Sequence, residues 1–163
     1  MLNIIKDNAV VANDPWYVVD KETTIGDIAS LNYAILPLAL WQAHRSELLG
    51  REDIGVWLDA DDPAHLINDD IISLTLIAIN FPVFSDGRGY SYAQNIRRDG
   101  YKGELRAIGD VLKDQLFFYK RVGFNAFALR QDLNPHEAID HLNDFADGYQ
   151  VSHSHPIPLF KRR

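Results

Sequence analysis

At 163 residues, with 47% hydrophobic and 24% charged side chains, the chain has the size and composition of one folded domain, which excludes wholesale disorder. Lys and Arg number 16 against 23 Asp and Glu, and the net charge of −7 argues against non-specific nucleic-acid binding and against docking on anionic lipid. Cysteine is absent, which excludes disulfides, thiol catalysis and cysteine-ligated zinc or iron–sulfur centres built from this chain alone.

The opening 1-MLNIIKDNAVVANDPWYVVD-20 has no long apolar core and does not read as a signal peptide. Ala9–Ala12 and Trp16–Asp20 bracket the turn-forming 13-NDP-15, so residues 1–30 are expected to form an arm or a hairpin. From Tyr33 a rhythm sets in, a short apolar run followed by an amphipathic segment. Tyr33–Leu36 reads as a strand. Pro37 suits the first turn of a helix whose Leu38, Trp41 and Leu48 share a face and which Gly50 ends. The run 54-IGVWL-58 is a strand entering 59-DADDP-63, where Asp62 is placed to cap a short helix begun by Pro63. Leu74–Asn80 is apolar without alternation, the pattern of a strand buried on both faces, and 71-IISLTLIAINFPVF-84 is too short to cross a bilayer.

A helix over Tyr90–Asp99 stops at Gly100, and 104-ELRAI-108 is a strand. Asp110 is expected to cap a helix over Val111–Val122, with Leu112, Leu116 and Tyr119 as its stripe and Gly123 as its end. Asn125–Leu129 is a strand. Asn134, Pro135 and Glu137 supply cap, first-turn proline and capping-box acid for a last helix, along which Ile139, Leu142, Phe145 and Ala146 face inward. Trp41, Trp57 and Phe117–Tyr119 are most simply core.

Five strand–helix units in succession imply an α/β fold: a mostly parallel open sheet, doubly wound, with helices packed on it through right-handed crossovers. The alternative is a partial β/α barrel, since a complete one needs about 250 residues. The α/β domain spans 31–148 and residues 149–163 form an extended tail, all within a single domain.

Parallel sheets bind ligands beyond the carboxyl ends of their strands. The segments leaving those ends are 59-DADD-62, 84-FSDGRGYS-91, 109-GD-110 and 130-RQD-132. They gather Asp59, Asp61, Asp86, Asp110 and Asp132 with Arg88 and Arg130. In Asp86-Gly87-Arg88-Gly89 the glycines allow close backbone approach, the following helix offers free N–H groups, and Arg88 offers a bidentate grip on an oxyanion. The same residues also suit a plain turn in which Arg88 pairs with Asp86. Arg106, inside a strand, reaches either a ligand or an acid such as Glu104 or Asp110. The candidate ligand-binding set is therefore Gly87, Arg88, Gly89, Ser91, Arg106, Gly109 and Gln115, with Asp86 and Asp110 as acid/base groups. Magnesium on Asp59, Asp61 and Asp86 is a minor alternative, and no metal site is assigned. His153 and His155 stand two apart without a third ligand, His136 and His141 five apart, and Ser91 lacks a nucleophile elbow. No nucleotide fingerprint, haem motif or flavin motif is visible, so the cofactor is left unknown.

The run 80-NFPVFSDGRGYSYAQNIRRDGYKGELRAIGDVLKDQLFFYKRVGFNAFAL-129, with 36-LPLALW-41, 55-GVWL-58, Tyr149-Gln150 and 158-PLF-160, resembles a bacterial family of uncharacterised proteins labelled as probable oxidoreductases involved in sulfite reduction. The family pattern matches at Asp86, Gly87, Arg88, Gly89, Ser91, Arg106, Gly109, Asp110 and Gln115. The absence of cysteine fits a cytoplasmic location, and the resemblance implies a role in sulfur assimilation. It would act either as an enzyme binding a small oxyanion or as an accessory partner of sulfite reductase or its electron donor.

Overall fold

A computed structural model describes residues 4–22, 28–145, 151–153, 156–158 and 161. Ala146, Tyr149, Gln150, His155, Leu159 and Phe160, singled out above, lie outside the described residues.

The chain opens with a hairpin of β1 (Ile4–Lys6) and β2 (Ala9–Val11), followed by β3 (Tyr17–Val18). Its turn is Asp7-Asn8, both at positive φ, and not 13-NDP-15 as the sequence suggests. Next come β4 (Ala34–Pro37), helices α1 (Leu38–Ala43) and α2 (Arg45–Leu48), β5 (Ile54–Leu58) and the short α3 (Asp69–Ile72). Then follow β6 (Leu76–Phe81), α4 (Arg88–Arg98), β7 (Glu104–Gly109), α5 (Leu116–Val122), β8 (Ala126–Phe127) and α6 (Pro135–Ala138).

Among the described residues the strands form one sheet in the order β2-β1-β8-β7-β6-β5-β4-β3. From β3 to β8 neighbours are parallel and strictly sequential, while β1 joins β8 antiparallel. The mostly parallel α/β expectation holds, and the partial barrel fits better than the doubly wound sheet. A doubly wound sheet reverses its strand order at a switch point, and none occurs here. Sequential right-handed crossovers put every helix on one face, so the sheet curls as in a barrel.

Chain length enforces that curl. Eight strands laid flat, with seven gaps of about 4.8 Å, would separate β2 from β3 by about 34 Å. The six links from Val11 to Tyr17 reach about 21 Å at most. The two edges are therefore drawn together, and their ratio is close to that of the chord of a half circle to its arc.

The helix-covered face holds the larger core. Ala34, Leu36, Val56, Leu58, Ile77, Ile79, Leu105 and Phe127 meet Leu38, Trp41, Leu48, Ala93, Ile96, Leu116 and Tyr119 there. The inner face carries Ile35, Trp57, Leu76, Ala78 and Ile108, buried beneath Trp16 from the segment that spans the chord. Trp57 donates its indole N–H to the Val19 carbonyl at 2.9 Å, and Trp16 meets Tyr33 edge-on at 5.7 Å.

Several local expectations change. Asp62 does not cap a helix, because its carboxylate accepts the Asp59 N–H at 2.7 Å. Asp110 does not cap α5, which begins later, after a 3-10 turn over Lys113–Gln115. Phe145 is exposed and rests on Phe117 and Phe118, and Phe118 is itself exposed on α5. Asn134 does cap α6, accepting the His136 N–H at 3.0 Å. The helices α4 and α5 end against Gly100 and Gly123 as expected.

Candidate functional site at the carboxyl ends of the strands

Side chains alternate along a strand, so Trp57 and Asp59, Ala78 and Asn80, and Arg106 and Ile108 share the inner face. Near the carboxyl ends this face turns polar. Asp59 accepts from Lys21 Nζ at 2.6 Å, from Asn80 Nδ2 at 3.3 Å and from the Ala60 N–H at 2.8 Å. The Lys21 ammonium also stands 5.3 Å from the Trp57 ring centre. Partial burial would push the Asp59 carboxyl up, but the hydrogen bonds from Lys21, Ala60 and Asn80 prevail and hold it below the usual carboxylate range. The hydrogen bond to Asp59 raises the Lys21 ammonium above its ordinary value.

The next position belongs to Gly109. Its φ of +90° turns the chain so closely over β6 that an added Cβ would lie 2.6 Å from Asn80 Oδ1 and overlap the Phe81 carbonyl. This glycine is needed for both its backbone angle and its close approach. Beyond it the Asp110 N–H donates to the Phe81 carbonyl at 2.8 Å. The Asp110 carboxylate accepts the Phe84 N–H at 3.0 Å on one oxygen and Arg130 Nη1 at 3.2 Å on the other. Arg130 also donates to Asp132 at 2.6 Å, and that carboxylate, with Asp110, raises the guanidinium further above its ordinary value. Lys21, Asp59, Asn80, Gly109, Asp110 and Arg130 thus form a continuous row along the inner rim.

The stretch 84-FSDGRGYS-91 forms the outer side of the same rim, and its own side chains fill the expected anion cradle. Asp86 accepts the Arg88 backbone N–H at 3.0 Å and the Arg88 guanidinium at 2.7 Å, which closes the start of α4. Arg88 also donates to Asp61, and the two acids, Asp86 first, raise its pKa. Gly87 has open space where a Cβ would stand. Gly89 is buried against β6, where an added Cβ would lie 2.5 Å from Phe81 Cζ, so it serves helix–sheet packing. Ser91 is exposed on α4. Gln115 donates to the Phe84 carbonyl at 2.7 Å and accepts from the Tyr119 hydroxyl at 3.1 Å.

Arg106 is not on the rim. It is fully buried midway along β7, where its guanidinium meets Asp14 bidentately at 2.9 Å and donates through Nε to Glu104 at 2.6 Å. Lys6 completes the group, 2.7 Å from Glu104. Arg88 and Arg106 therefore share no cleft. Asp86, Arg88, Gly109, Asp110 and Gln115 do gather around the loop after β6.

Sequence reasoning missed Lys21 and Asn80. Asn80 left a signal, being the one polar residue in an apolar strand at an inward position near its end. Lys21 left none, because its placement depends on the fold of the arm. Among the described residues, no three His, Asp or Glu side chains are arranged to hold a metal ion. Among them, too, no helix is long and apolar enough to cross a membrane.

The model of a family described as "Bacterial protein of unknown function (DUF934)" matches residues 55–160. No curated protein and no solved structure matches the chain.

Proposed function

The chain belongs to this bacterial family of unknown function, and we propose that it binds a small oxyanion, of the chemistry of sulfite, in sulfur assimilation. The observation that supports the site is the continuous inner row from Lys21 to Arg130, built from the arm and the ends of successive strands. Barrels of the β/α type bind their ligands at this end. Lys21 and Arg130 carry cations that persist through the neutral range, each oriented in advance by a carboxylate. Asn80 adds a neutral donor. Asp59, held ionised, accepts a hydrogen bond from a protonated oxyanion. The link to sulfite reduction rests on the resemblance carried by residues 80–129.

Thermal-shift and calorimetric titrations with sulfite, sulfate, phosphate, nucleotides and flavins test this proposal. Sulfite is expected to raise the melting temperature. Lys21→Met and Arg130→Gln are expected to weaken binding by about tenfold each, the scale of one charge-assisted hydrogen bond. Arg88→Ala, on the outer side of the rim, weakens it less. The proposal fails if no ligand in the panel shifts the wild type, or if Lys21→Met binds as the wild type does.

A further inference from the structure

We propose that the turn Val83–Asp86 is a docking site for a basic partner protein, with Phe84 as its anchor. Val83 and Phe84 are each 51% exposed, although they come just after a strand that is buried at every position but Asn80. The turn that displays them is held from several sides. Both backbone polar groups of Phe84 are engaged, its N–H by Asp110 at 3.0 Å and its carbonyl by Gln115 at 2.7 Å. The Asp86 N–H closes on the Val83 carbonyl at 3.0 Å, and Arg88 fixes the Asp86 carboxylate. Gln115 is fixed in turn by Tyr119, a buried ring stacked on Tyr90 at 5.0 Å. The order that an interface would otherwise impose on this turn is already present in the free protein.

Two large apolar side chains on an exposed turn cannot enclose a small molecule, but they can enter a pocket on another protein. An aromatic anchor ringed by polar groups is the usual form of an interface hot spot. The surrounding charge specifies the partner. The two ion-paired groups that flank the turn carry Asp61, Asp86, Asp110 and Asp132 against Arg88 and Arg130, four acids to two bases. A second copy would bring the same acidic rim, within a chain of net charge −7, and would be repelled. A partner with Lys and Arg around an apolar pocket is attracted. This surface does not involve Lys21 or Asn80 and meets the oxyanion row only at Asp110 and Arg130.

Benzoylphenylalanine in place of Phe84 reports the occupant by photo-crosslinking in cells of the source bacterium, with the same residue at exposed Leu49 as control. The adduct is identified by mass spectrometry, and the identified protein is then purified and titrated directly. One basic protein is expected to crosslink at 84 and not at 49. Phe84→Ala is expected to weaken its binding by about tenfold or more, as for other aromatic anchors. Gln115→Ala, which frees the turn but keeps the anchor, weakens it less, and raised salt weakens it further. Lys21→Met leaves partner binding intact, which separates this surface from the oxyanion site. The proposal is overturned by the absence of an adduct at 84, by an adduct with a second copy or an acidic protein, by equal crosslinking at 49, or by unchanged binding of a folded Phe84→Ala variant.

Discussion

Gly87 and Gly89 flank the same arginine and answer to different constraints. Gly87 has φ −84° and open space around it, a conformation that any L-residue adopts. Gly87→Ala is therefore expected to leave stability unchanged or raise it by up to about 1 kcal/mol, by restricting the unfolded chain. In Gly89→Ala the added methyl enters the Phe81 ring and lies 3.0 Å from Ile79 Cγ2, so α4 must shift off β6. A loss of about 1–3 kcal/mol is expected, the range for overpacked cores. Urea midpoints of the two variants check both values. At Asp59 the prediction concerns pH. A carboxyl depressed in the folded state adds stability that is present above its unfolded pKa of about 3.9 and is lost as pH falls through the folded value. Lys21, raised in the folded state, adds stability that is complete below its unfolded pKa of about 10.4 and is lost as pH rises through the folded value. Melting temperatures of wild type and Asp59→Asn should therefore differ most between these limits. Once the pH has fallen below the folded value, the wild type's advantage should disappear.

Among the elements, β7 and the segment crossing the chord depend on each other. Arg106 has no access to water, and its charge is compensated by Asp14 from that segment and Glu104 from its own strand. Removing one member of a buried ionic group leaves the others uncompensated. Arg106→Leu takes the guanidinium from Asp14 and leaves Glu104 with Lys6, and is expected to cost about 3–5 kcal/mol. Asp14→Asn leaves Glu104 in place and should cost less. Chemical denaturation of both variants tests the order. The loop after β6 depends on long-range contacts in the same way. Asp110, expected from sequence to cap a helix, instead uses its two oxygens on Phe84 and Arg130. A carboxylate next to a glycine satisfies either role equally well, and only the approach of two other loops decides between them.

At the scale of the whole molecule, a curled sheet tied across its chord has no half that can unfold alone. Trp16 and Trp57 report on the inner layer and Trp41 on the helix-covered core. Urea unfolding followed by tryptophan fluorescence and by far-ultraviolet circular dichroism is expected to give coincident, single transitions. Separate midpoints would show that the inner layer opens first. Much of this architecture was legible in the residues: the β5 run 54-IGVWL-58, the strand 104-ELRAI-108, the stops at Gly100 and Gly123, the Asn134 cap and the parallel α/β class. Each is set by neighbours within a few positions, through side-chain periodicity, capping hydrogen bonds and turn preferences. The loops of the candidate site were legible for the same reason, since strand ends follow from strands. The tertiary structure alone decided that the sheet curls, that Arg106 is a buried clamp, that Phe145 stays exposed, and that Lys21 and Asn80 meet at Asp59. Those outcomes depend on which strand lies beside which. Asp14 and Arg106 are 92 positions apart, and no local pattern in the chain encodes their meeting.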